Sequence, residues 1–81
     1  MLVMAYIDIS SGKALFISKD KPIAEIKLTP EAKAIMSKVG KPKEVNLMDP
    51  LIGLDREAAI HDIKTKNFYV NAATIKFKEE Q

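Results

Sequence analysis

Apolar positions crowd the start of the chain without a clean alternation. In residues 2–9, Val3, Ala5, Ile7 and Ile9 fall on one side of an extended strand, and Leu2, Met4 and Tyr6 on the other are also largely apolar. A strand apolar on both faces is central in a sheet or lies at an interface. Ser10, Ser11, Gly12 and Lys13 read as a turn. Residues 14–18 then form a second strand, so 2–18 is predicted as a hairpin. A further turn at 19–22, ending in Pro22, leads into 23–28. There Ile26 and Leu28 alternate with Lys27, which predicts a third strand.

The next pattern is helical. Ala32, Ile35, Met36 and Val39 recur at i, i+3, i+4 and i+7, one face of a helix. Thr29 stands where an N-cap belongs, Pro30 at the first helical position and Glu31 in the first turn. Lys38 lies in the last turn, Gly40 follows as C-cap, and Pro42 forbids continuation. The prediction is a helix over 30–39.

Residues 44–48 alternate, with Val45 and Leu47 on one side, and Asp49-Pro50 ends that strand. Leu51, Ile52, Gly53 and Leu54 form an apolar loop, which is unusual because loops are normally polar. Residues 55–66 admit two readings. Asp55 could cap a helix beginning at Arg56, but Ala59, Ile60 and Ile63 make only a thin apolar stripe. The reading preferred here is a strand over 58–64, turning through 65–67 onto a long strand over 68–77. In that last strand Phe68, Val70 and Ala72 share one face, and Ala73, Ile75 and Phe77 another. The phase shift at Ala72-Ala73 is what a β-bulge produces. The predicted fold is α+β: a small curved antiparallel sheet or open barrel, order β-β-β-α-β-β-β, with one helix.

Length sharpens the picture. The chain has 81 residues, one domain spanning 1–81. A chain this short buries only about 60% of its unfolded surface. There is no cysteine, so no disulfide supports the core and no thiolate holds a metal. Homo-oligomerisation is therefore the expected support. Absence of cysteine also suits a reducing compartment. The first residues lack a basic leader, and their apolar run breaks at Asp8, which leads us to expect a cytoplasmic protein off the membrane. Net charge is +2, and all 13 basic residues but Arg56 are lysines scattered among 11 acids. Scattered lysine mainly serves solubility.

Candidate chemistry is sparse. The single histidine, His61, is followed by Asp62, and on a helix Glu57 and His61 would share one side at i, i+4. Two ligands are too few for a metal, and no second histidine exists to add to them. Ser10, Ser11, Ser18 and Ser37 lack the flanking glycines of a nucleophile elbow. Gly12, Gly40 and Gly53 are isolated, and Gly40 follows a helix instead of opening one, so there is no phosphate loop. The expectation is a protein that is not an enzyme and takes no cofactor and no metal.

Two binding surfaces remain. Leu2, Met4 and Tyr6 on the second face of the first strand, with Leu51, Ile52 and Leu54 in the apolar loop, are more apolar surface than one helix covers. Such patches mark protein contacts. The first reading is thus a small protein-binding module, homodimeric or larger, that also docks on another protein. Motif-free domains of this size include phage and mobile-element accessory proteins and inhibitors, the type expected here. The alternative is a nucleic-acid-binding β-domain using Lys64, Lys66, Tyr69, Lys76 and Lys78, with Tyr69 as a stacking platform among lysines. A small-ligand site at an oligomer interface is the second alternative.

Overall fold

The hairpin forms where the pattern places it. In the computed structural model, which describes residues 1–49, 51–72 and 76–77 (backbone alone at 51, 52, 76 and 77), β1 (Leu2–Asp8) pairs antiparallel with β2 (Lys13–Ser18). The register runs from Val3 opposite Ser18 to Asp8 opposite Lys13. Ile9 falls in the turn and is exposed, so β1 stops one residue short of the expected end. β3 (Lys43–Asn46) pairs with β1 on its other side, and β5 (Phe68–Asn71) pairs with the far side of β2. The sheet is antiparallel and open, in the order β3-β1-β2-β5. It does not close into a barrel. β1 is central, as its two apolar faces require.

Each face of the sheet carries a helix. α1 (Pro30–Val39) has the predicted bounds, with Thr29 Oγ1 accepting the Ala32 N–H at 3.2 Å. Gly40 ends it at φ 80°, ψ −55°, and Lys41 N–H donates to Val39 O at 3.0 Å across it. That is a positive-φ γ-turn, strained for any residue with a Cβ. Ala32 and Ile35 of α1 pack on Tyr6, Leu15, Ile17, Ile26 and Phe68. The opposite face buries Val3, Ala5, Ala14, Phe16, Val45 and Leu47 against Ala59 and Ile63. Those last two belong to a second helix, α2 (Arg56–Lys66).

α2 corrects the preference for a strand over 58–64. Asp55 Oδ1 accepts the Ala58 N–H at 3.2 Å, and Asn67 closes the helix in the left-handed region at φ 69°, donating its N–H to Ile63 O at 3.0 Å. The stripe is thin but sufficient, because small Ala59 admits close approach and Ile63 fills the next turn. The strand expected over 23–28 is also corrected. Ile23–Glu25 is a 3-10 turn held by Glu25 N–H to Pro22 O at 2.9 Å and Ile26 N–H to Ile23 O at 3.0 Å. Only Ile26 is buried there; Leu28 is partly buried beside it. Strands β3 and β5 hold the two edges of the sheet.

The long strand over 68–77 ends at Asn71. Residues 76–77 (β6, Lys76–Phe77) pair instead with β4 (Leu51–Ile52), so part of the apolar loop is a short strand. The bulge expected at Ala72-Ala73 lies partly outside the described residues. The described order is therefore β-β-α-β-β-α-β-β, with two helices instead of one.

Candidate functional site

The first strand's second face divides. α1 covers its far half, and Tyr6 is 5% exposed inside the α1 core. Tyr6 therefore belongs to the interior. The near half lies beyond the helix: Met4 is partly buried and Leu2 is 51% exposed. Asn46, opposite Leu2 in β3, gathers more apolar groups around this spot. Its Oδ1 accepts from the Met1 ammonium at 3.1 Å and from the Met48 N–H at 2.9 Å, and Leu47 N–H donates to Met1 O at 2.9 Å. Met1 and Met48 are both exposed. Met1, Leu2 and Met48, all exposed, and the partly buried Met4 thus belong to one end of the sheet, with the backbone of Met1 and Met48 tied to the Asn46 side chain.

Of the apolar loop, only Leu54 has a described apolar side chain. Leu54 packs partly buried against the α2 core. The side chains of Leu51 and Ile52 lie outside the described residues.

Lys64 and Lys66 are exposed in the last turn of α2. Tyr69 is not a free platform. Its ring stacks on Phe16 with centroids 6.3 Å apart, it packs against the α2 core, and its hydroxyl donates to Asn71 Oδ1 at 3.0 Å. Burial raises its phenol pKa above the ordinary value, with Asp55 and Asp62 adding to the rise. The side chain of Lys76, and Lys78 altogether, lie outside the described residues. His61 stands exposed on α2 one turn from Glu57. No group of three or more histidine, cysteine, aspartate or glutamate side chains among the described residues is placed to hold a metal ion. No helix among them is long and apolar enough to cross a membrane.

Ser10 and Ser11 serve the hairpin turn. Asp8 is 7% exposed, and its Oδ1 accepts from Ser10 N–H at 3.1 Å and Ser10 Oγ at 2.7 Å. The Ser11 and Ser10 hydroxyls, with the Lys38 ammonium 3.3 Å from Oδ2, hold the carboxyl well below the usual carboxylate range against the opposing pull of burial. Lys13 pairs with Glu31 at 2.8 Å. These groups border a shallow hollow of about 180 Å³ between the turn and α1. Its charges are paired with one another, so it reads as a clasp between hairpin and helix.

A larger feature escaped the sequence. An open groove of about 530 Å³ runs between the segment after β2 and the junction of α2 with β5. Lys21, Lys27, Lys66 and Glu25 rim it over Ile26 and Phe68. Its residues come from two parts of the chain some forty positions apart, and no local spacing signals their meeting.

No family model matches the chain, and neither a curated protein nor a solved structure matches it.

Proposed function

We propose that this chain is a non-enzymatic protein-binding module that associates through the apolar patch of Met1, Leu2, Met4 and Met48. The observation that carries the reading is the exposure of Leu2 and Met48, 51% and 61%, with Asn46 opposite Leu2 and accepting the Met48 N–H. Exposed apolar groups gathered in one place favour a partner, and methionine adapts to its surface. The first partner is a second copy of the chain, since a domain this small gains most from added buried area. Such a dimer is isologous, patch on patch. Nucleic-acid binding is the weaker reading, because the Tyr69 ring it needs is engaged by Phe16.

Sedimentation of the wild-type chain over a range of concentrations tests this. A dimer that Leu2→Glu converts to a folded monomer supports the reading, because the substitution buries an unpaired charge in the contact. A wild-type chain that stays monomeric throughout, or a Leu2→Glu dimer of unchanged mass, rejects it. Tyr6→Lys is no substitute, since Tyr6 is buried and the variant would lose the fold.

A further inference from the structure

The two edges of the sheet are not equivalent. β3 is guarded: Pro42 precedes it, and Lys43 and Glu44 are exposed along it. Proline and charge are the usual means of keeping a sheet edge from recruiting another strand. β5 has neither. Its residues are Phe68, Tyr69, Val70 and Asn71. Ser18 N–H donates to Asn67 O at 2.9 Å, which fixes the phase of the β2–β5 ladder. Alternate residues Asn67, Tyr69 and Asn71 turn their backbone groups to β2, and Phe68 and Val70 turn theirs outward. Among the described residues no strand pairs with that outer side.

The groove lies beside the start of this edge, with Phe68 in its floor. Three lysines and one glutamate line it, Lys21, Glu25 and Lys27 from one segment and Lys66 from the other. Lys21 and Lys27 have no ion-pair partner among the described residues, and Lys66 has only an exposed contact with Asp62 at 4.0 Å. The charge is therefore available to a ligand.

We propose that β5 receives an extended segment of another protein as an added antiparallel strand, and that the lysine-rimmed groove takes acidic side chains of that segment. An antiparallel partner runs past the start of β5 with its own C-terminal side. The acidic residues therefore follow the pairing residues in the partner's sequence. A second copy of this chain fits poorly. The residues directly after its β5, 72–75, are Ala, Ala, Thr and Ile, and Lys76 and Lys78 come before Glu79 and Glu80, so no acid follows the pairing residues closely.

The test uses the whole chain, isotope-labelled for NMR, and two blocked peptides. One alternates valine and threonine and ends in glutamates; the other ends in lysines. The glutamate peptide is expected to shift the Phe68 and Val70 amide signals and to bind at least about fivefold more tightly than its lysine counterpart, the scale of a pair of exposed ion pairs. The gap should narrow as salt rises. Lys21→Glu with Lys27→Glu, both exposed positions, should abolish or reverse the preference. Val70→Pro removes an outward N–H and should abolish binding of both peptides. Equal binding of the two peptides would overturn the acidic class of partner while leaving strand addition standing. Binding that survives Val70→Pro, no binding by either peptide, or self-pairing of the chain across β5 would overturn the site itself. None of these outcomes bears on the methionine patch, which the Leu2→Glu measurement tests separately.

Discussion

Asp8 is the most constrained ionisable side chain described. Its folded pKa is depressed, whereas an unfolded aspartate titrates near about 3.9. Above about pH 4 both states are ionised, and its contribution to stability is complete. As pH falls below that, the unfolded chain takes up the proton first and the contribution drains away. Asp8→Asn should therefore be less stable than wild type at neutral pH, with the deficit shrinking below about pH 4. Denaturant midpoints across that range check it; a deficit constant down to about pH 2 would refute it. Arg56, the one arginine, donates from Nε to Leu47 O and from a terminal nitrogen to Asp49 O, each at 2.8 Å. A lysine has no such fork, so Arg56→Lys should cost about 1–2 kcal/mol in urea unfolding. Gly40→Ala should cost about 1–2 kcal/mol from backbone strain alone, because an added Cβ there meets nothing within 4 Å. None of these contacts was legible beforehand except the helix stop at Gly40, since the partners of Asp8 and Arg56 lie partly on other elements.

The elements differ in how openly they declare themselves. α1 carries its cap, proline, apolar face and terminal glycine in sequence order, and its bounds follow directly. α2 has a cap of equal quality and, like α1, buries one alanine and one isoleucine. α1 extends that stripe with partly buried Met36 and Val39, whereas α2 adds only Ile60, so the pattern understated the second helix. Asp55→Ala should lower stability by about 1 kcal/mol and loosen the first turn of α2, seen as faster amide exchange at Ala58 and its neighbours. Stability and exchange both unchanged would mean that the cap is idle. Residues 23–28 misled in the other direction. A short alternation of Ile26 and Leu28 looks like a strand, but after Pro22 the chain closes a 3-10 turn at Ile23–Glu25 and buries Ile26 alone, so the segment packs on the core without joining the sheet. The groove arises from that displaced segment.

At the scale of the molecule, the arrangement is a sheet between two helices. Phe16 is fully buried at its centre and stacks on Tyr69. Truncating such a residue costs about 3–5 kcal/mol, and domains of this size hold only about 5–10 kcal/mol in total. Phe16→Ala should therefore be largely unfolded or close to it at 37 °C, which circular dichroism would show at once; a native melting curve would contradict the packing. The α+β class and the central place of β1 were readable from apolar residues on both faces of the first strand. The second helix, the strand order and the open edge were not, because they depend on which distant segments win a place beside β1 and β2.

The strand order has a consequence in time. The two middle strands are joined by a short turn, and both edge strands arrive from far along the chain. Closing the short loop costs least entropy, so the hairpin is the natural place for folding to begin and the edges are its latecomers. Opening runs the other way, and β5 with α2 is the unit expected to detach first. A strand bound along β5 would therefore act as a latch on the least secure part of the protein. Its arrival would lengthen amide lifetimes in β5 and α2 well before those of β1 changed.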